Sequence, residues 1–338
     1  MYPLKMIPYY RHGDETPWGG RALKDLFGKD IPDDRTGESL EISALGEMQS
    51  RVSNGELAGR TLGEAVGLWG EALTGPLGPD GRFPLMLKLL DAREMLSVQV
   101  HPDDGYALKN DGKLGKTEAW VVLSCPYGSQ LVYGLCCGAQ ELSGLCEQGR
   151  FEEALRRVTV APGDVLYIPH GLVHALGGGI IVYEIQQSSD ATYRVWDWGR
   201  VGSDGKPRAL HTRKALDVIR PDLAPDKLPG ATLLCAGGSR TAYIADENFE
   251  LWRLNVAGTM RLEKGRMRFV TPLGPTVMRY EGGELEIAPL ESVLVPAALE
   301  VSVEGRLSCL LSTTPDQAAL REALGYRAQS VAGLTAPV

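Results

Sequence analysis

Polar and apolar positions along the chain change period, and short alternating runs predominate. Ser97-Val98-Gln99-Val100-His101 alternates strictly, the pattern of a strand with one buried and one wet face, so Ser97, Gln99 and His101 share a side. Pro102-Asp103-Asp104-Gly105 ends it, because proline removes a ladder donor and aspartate and glycine favour turns. After a polar loop, Gly115-Lys116-Thr117-Glu118 leads into the apolar run Ala119–Leu123, the next expected strand. Further strands are expected at Glu38–Leu45, at Pro84–Ala92 (PLMLKLLDA, interrupted by Lys88), at Val158–Pro169 around a Pro-Gly-Asp turn, and at Ile180–Gln187. Helical spacing is rarer. It marks Thr61–Leu73, where Leu62, Ala65, Val66, Leu68 and Trp69 recur and Thr61 with Glu64 reads as a capping box. Shorter helices are expected at Arg21–Phe27, in GRFEEALRRV (149–158), in RKALDVI (213–219) and in PDQAALREAL (315–324).

The three prolines of Arg220–Gly230 read as a linker. They divide the chain into a first domain at 1–225 and a second at 226–338, whose residues 231–315 alternate as another set of short strands. The two parts echo each other. VTVAPGDVLYIPHGLVHAL (Val158–Leu176) parallels LEIAPLESVLVPAALEVSV (Leu285–Val303), but the second stretch has no histidine. This is the pattern of a duplicated β unit in which only the first copy keeps ligands. The 41 glycines and 21 prolines in 338 residues fit a mainly β, turn-rich fold.

Net charge −8 argues against nucleic acid, which needs a basic surface. It leaves room for a small anion in a locally basic site. No run approaches the roughly 18 apolar residues of a membrane span, and the first residues lack the apolar core of a signal peptide. The six cysteines show no CxxC pair, so reduced thiols in a cytoplasm are expected rather than disulfides or a thiolate metal site.

Gln99 and His101 lie one strand repeat apart, His174 follows a Pro-x-Gly turn, and Glu118 adds a carboxylate. Such an oxygen and nitrogen set without sulfur suits zinc, manganese, iron or cobalt. Lys88, Lys116, Arg194 and Arg200 lie on or beside the same segments, and cations near a metal on an acidic chain point to an anionic substrate such as a phosphorylated sugar. Gly115-Lys116-Thr117 is no phosphate-binding P-loop, since Asn110 stands where that motif's first glycine would fall and a strand follows. His12, His170 and His211 have no such context, and Asp103 and Asp104 read as turn formers.

These segments together carry a resemblance. QVHPDD, GKTEAW, PHGLVHALGGG and EIQQSSDATYRVWDWGR are similar to the signature segments of type I mannose-6-phosphate isomerases in their short bacterial form. Trp18-Gly19-Gly20, PLMLKLLDA and RALHTRKALDVI extend it over residues 16–220. The resemblance implies a cupin, a small jelly-roll barrel with a few peripheral helices, followed by a degenerate β domain without metal. It implies interconversion of mannose 6-phosphate and fructose 6-phosphate through a cis-enediol. Gln99, His101, Glu118 and His174 are the implied ligands of one divalent ion, zinc first. Lys116, Glu184 and Arg194 are implied in catalysis, and Ser97, Lys88 and Arg200 in binding the sugar phosphate. Lys116 and Glu184 can each serve in proton transfer, because burial and neighbours tune either towards neutral pH. Ala119 and His170 depart from the family pattern, which usually has cysteine and a small residue there. The rival readings are a dioxygenase on the same barrel, which leaves the cations unexplained, and a non-catalytic sugar-phosphate sensor, which leaves the proton-transfer groups unexplained.

Overall fold

The computed structural model describes residues 1–77, 80–201 and 205–316. The helix expected at 315–324 falls almost wholly outside them. The described chain is mainly β, with short helices, none of them long and apolar enough to cross a membrane.

Two compact units form. One holds residues 10–39 and 88–227, the other 1–9, 40–87 and 228–338. The expected cut at 225/226 lies close to the later crossing point, but the first 87 residues do not stay with one unit. The reason is long-range pairing. Leu4–Ile7 pairs with Val293–Val295 on one side and Arg51–Val52 on the other, antiparallel in both cases. Phe83 stacks on Phe269 at 6.2 Å, and Ala297 N–H donates to Leu73 O at 2.8 Å. Such partners are invisible to local composition.

Two sheets carry the candidate site, the first of them antiparallel throughout. One runs Leu155–Thr159, Gln130–Leu135, His174–Ala175, Val98–Val100, Tyr193–Trp196; the other runs Val165–Ile168, Glu118–Ser124, Ile180–Gln187, Leu85–Ala92, Thr36–Ile42, Tyr9–His12. Their alternate side chains meet in one core. Trp120, Val122, Leu166, Ile168 and Val182 come from the second sheet, and Leu131 and Tyr133 from the first. Tyr133 buries its ring fully and donates its hydroxyl to Tyr167 O at 2.6 Å, so no polar atom of it is stranded. This is the jelly-roll arrangement expected.

The echo in sequence is an echo in pairing. In the first unit described, Val98–Val100 pairs with His174–Ala175, which pairs with Gln130–Leu135, which pairs with Leu155–Thr159, while Glu118–Ser124 pairs with Val165–Ile168. In the other unit, Glu250–Leu262 pairs with Val301–Thr313, which pairs with Thr276–Tyr280, which pairs with Gly283–Ile287, while Arg268–Pro272 pairs with Val293–Val295. The order along the chain is the same in both.

Local signals held where caps were present. The helix Leu62–Trp69 opens on the Thr61 capping box and stops at Gly70, whose φ of 53° ends the run before Leu73. Two expectations need correction. GRFEEALRRV forms a 3-10 turn, Phe151–Ala154, then the strand Leu155–Thr159; the α-helix lies earlier, at Ala139–Glu147. Pairing with Gln130–Leu135 outweighs the modest helical preference. The polar loop after His101 contains a helix, Asp104–Asp111, with Asp103 as its N-cap accepting from Tyr106 N at 2.7 Å.

Candidate active site

His174 sits opposite Gln99 in register, and Arg194 flanks Gln99 on its other side. One strand repeat beyond Gln99, His101 closes the same face. Glu118 opens the strand of the facing sheet and projects its carboxylate between the two imidazoles. Its Oε1 is 3.2 Å from His174 Nε2 and its Oε2 is 3.4 Å from His101 Nε2. All three side chains are 0% exposed.

Both rings are oriented from behind. His101 Nδ1 lies 2.9 Å from Ala191 O, and His174 Nδ1 lies 2.9 Å from Leu172 O. A carbonyl can only accept, so Nδ1 carries a hydrogen in each ring and Nε2 is the nitrogen turned towards Glu118, the orientation of a metal-ligating histidine. His101 Nε2 and both Glu118 oxygens are buried without a hydrogen-bond partner. Leaving such acceptors unmet costs about 1–3 kcal/mol each, and their convergence means that one cation could satisfy all three. Their ligand atoms lie within 4.8 Å of one another, so the trio could hold a metal ion. Gln99 Nε2 is 3.2 Å from His174 Nε2; a half-turn of the amide presents Oε1 instead. Burial, reinforced by Lys116 and opposed by Glu118, holds His101 neutral, with its pKa down at about 3.

Lys116 stands on the loop before Glu118. Gly115 lets that loop touch the Asp103–Asp104 backbone, where a Cβ would come within 2.5 Å of Asp103 C and Asp104 N. Lys116 N–H then donates to Pro102 O at 3.0 Å, and its Nζ reaches 2.8 Å from Glu118 Oε2, an ion-pair distance without hydrogen-bond angles. Burial works against the Lys116 charge, but Glu118 and Glu184 outweigh it and raise the pKa. Glu184 lies beside Trp120 in register and accepts from Trp120 Nε1 at 2.7 Å. Its other oxygen is 3.5 Å from Lys88 Nζ, which also lies 3.1 Å from Glu38 Oε2. Burial, then Glu118, pushes the Glu184 carboxyl up. Lys88, a cation following the apolar Leu85-Met86-Leu87, therefore has buried carboxylates to meet.

The arginines form a second group. Arg194 donates NH1 to Ala209 O at 2.8 Å and has no carboxylate within ion-pair distance among the described residues. Arg200 NH2 binds Asp197 Oδ1 at 2.8 Å, and Arg208 clasps the same carboxylate with Nε at 2.7 Å and NH2 at 2.6 Å. Burial lowers the Arg194 and Arg200 pKa values, with Arg208 adding repulsion to both. Ser97 is buried one repeat before Gln99.

Thus Gln99, His101, Glu118, His174, Lys116, Lys88 and Glu184 share a continuous set of contacts, and Arg194 adjoins it through Gln99. Sequence reasoning missed Glu38, Trp120, Asp197 and Arg208. Glu38 left one signal, a carboxylate inside an alternating apolar strand, and Trp120 ended the quoted GKTEAW run. Arg208 stood in RALH and Asp197 in the WDWGR run without anything to show that they clasp.

Comparison with known proteins gives a consistent outcome. Residues 8–115 match the family described as phosphomannose isomerase type I, catalytic domain. The chain is 38% identical over 318 residues to the Bacillus subtilis mannose-6-phosphate isomerase ManA, covering 92% of this chain and 98% of that one. It is 38% identical over 248 residues to mannose-6-phosphate isomerase of Streptococcus mutans, covering 73% and 78%. The crystal structure of the Bacillus subtilis mannose 6-phosphate isomerase superposes with a TM-score of 0.86 at 33% identity, covering 92% of this chain and 99% of that one.

Proposed function

The chain belongs to the type I phosphomannose isomerase family, and from that premise we propose how its residues divide the interconversion of mannose 6-phosphate and fructose 6-phosphate. Gln99, His101, Glu118 and His174 would hold one divalent ion, zinc first, because two imidazoles, a carboxylate and an amide make a donor set without sulfur. A bound ion of this kind supplies Lewis-acid polarisation of sugar oxygens. The observation that carries the reading is the trio of buried acceptors on His101 and Glu118 that make no hydrogen bond, beside a bank of lysines and arginines.

The remaining work falls to side chains. Passing a proton between C2 and C1 requires a group that takes it and returns it on the same face. Lys116 and Glu184 are the two groups for this, one fixed by the Gly115 turn and the other by Trp120. Lys88 keeps Glu184 close to a positive charge and faces the reacting end. Arg194 and Arg200 grip the phosphate, since a planar guanidinium can bond two of its oxygens. Ser97 completes the substrate contacts. A cytoplasmic setting is supported by the cysteines, all six of which are unpaired.

The test is conversion of mannose 6-phosphate by purified protein, with metal content measured on the same sample. Chelation should abolish turnover, and zinc should restore it. Full activity in protein stripped of metal would overturn the ligand assignment, and no activity with metal bound would overturn the substrate reading.

A further inference from the structure

The unit that closes the chain has a cavity of about 540 Å³ at a revealing place. Its position follows from the shared pairing order. Glu118 opens its strand opposite Ile168, just before Pro169; Arg268 opens the equivalent strand opposite Val295, just before Pro296. His174 pairs with Gln99, and its equivalent Val301 pairs with Leu262. Counting two residues on, Lys264 stands where His101 stands; counting two back from Arg268, Arg266 stands where Lys116 stands. Leu262, Lys264, Arg266 and Arg268 all line the cavity. The second copy has therefore kept the site and inverted its charge: the positions of the imidazole and carboxylate hold an ammonium and a guanidinium.

That charge is not neutralised from within. Arg268 is 6% exposed. Its guanidinium bonds only backbone, donating to Glu263 O and, at 2.7 Å, to Leu299 O, and its Nε has no partner. Arg240, also in the wall, donates to Arg261 O at 2.8 Å and likewise leaves Nε unmet. Neither of these arginines nor Lys264 has a carboxylate within ion-pair distance among the described residues. Arg266 is different, lying 2.8 Å from Glu250 and 4.0 Å from Asp316. Burial, with Arg266 and Arg240 adding repulsion, pulls the Arg268 pKa down to about 10. Four cations, Arg240, Lys264, Arg266 and Arg268, stand against Glu263, Asp316 and the adjoining Glu250, which leaves one net positive charge at the cavity. Trp252, held by its Nε1 bond to Glu250 at 2.9 Å, and Leu254, Leu262 and Leu311 supply an apolar wall.

We propose that this cavity binds a small phosphorylated metabolite, its phosphate dianion held by Arg240, Lys264 and Arg268 and its body lying against Trp252 and the leucines. A phosphate suits three cations that have no carboxylate within ion-pair distance among the described residues, and the volume is that of an ordinary small-molecule site. The isomerase residues take no part, so the binding is separate from turnover.

The test uses the full chain and inorganic phosphate as the probe, titrated calorimetrically. Arg240→Gln/Lys264→Gln should weaken one class of phosphate site by roughly tenfold or more, the loss expected when charge-assisted contacts are removed. Its kcat/KM for mannose 6-phosphate in phosphate-free buffer should be unchanged. The double variant leaves the buried Arg268 turn contacts intact, so it tests binding without threatening the fold. Equal phosphate affinity and stoichiometry in wild type and double variant would overturn the proposal. So would a wild-type stoichiometry of one phosphate per chain that Arg194→Ala abolishes, since all binding would then belong to the isomerase site.

Discussion

Glu38 shows at the scale of one residue how burial and pairing compete. Burial opposes its charge, yet Lys88 and Arg11 prevail and hold the carboxyl at about 2 against an ordinary 4.5. A carboxyl depressed on folding stabilises the protein fully above its unfolded value and loses that contribution as pH falls through the folded one. The window is thus about pH 4.5 down to 2, and the stake is on the order of 3 kcal/mol at 1.36 kcal/mol per unit. Glu38→Gln should be less stable than wild type at neutral pH, and the difference should shrink across that window; urea unfolding at stepped pH measures it. A constant difference would mean the pairing contributes nothing. The arginines invite a ranking. Asp197 already engages Arg200 and Arg208, while Arg194 has no carboxylate at ion-pair distance among the described residues. Arg194→Ala should therefore lower kcat/KM for mannose 6-phosphate by roughly 10–150-fold, more than Arg200→Ala does, with metal content unchanged in both. A larger loss from Arg200→Ala would reassign the main phosphate grip.

Elements differ in what a change of one residue can reach. Thr61 caps a helix far in sequence from the site, accepting from Glu64 N at 3.2 Å. Thr61→Ala should cost about 1 kcal/mol of stability and leave kcat alone. Gly115 positions the loop that carries Lys116, one of the two proposed proton-transfer groups. Adding a Cβ within 2.5 Å of backbone forces the Lys116 turn to move, and a displacement near 1 Å can cost about 100-fold in rate. Gly115→Ala should lower kcat by roughly 10–100-fold while Thr61→Ala does not. Steady-state kinetics of the two, beside their melting temperatures, separates positioning from stability. Wild-type kcat in Gly115→Ala would show that the loop adapts.

For the whole molecule the consequence lies in how the chain is shared out. Residues 1–9 and 40–87 fold with the residues from 228 onward, although every expected site residue lies between 88 and 200. A chain ended after Lys227 would keep those site residues but lose the Val293–Val295 partner of Leu4–Ile7, the donor to Leu73 O and the stacking partner of Phe83. The exposed edge and apolar surface should drive it to aggregate. Soluble yield and circular dichroism check this, and a soluble, folded 1–227 that binds metal would show that the first part folds alone.

The sequence by itself determined the strands with strict alternation and the Thr61 cap, because each is written in neighbours a few positions apart, and it supplied the motif residues proposed for the site. It also carried the duplication, through the repeated Ala-Pro and strand-turn-strand spacing. Tertiary structure alone decided which far segments pair. It turned GRFEEALRRV from helix to strand against Gln130–Leu135 and moved the first strand to the other unit. It also decided which ring nitrogens face the site. Histidine can ligate through either nitrogen, and only the carbonyls of Ala191 and Leu172, 90 and 2 residues away, engage Nδ1 and turn Nε2 towards Glu118 in both rings. Glu38, Asp197 and Arg208 became legible for the same reason, since a buried charge has meaning only once its partner is in place.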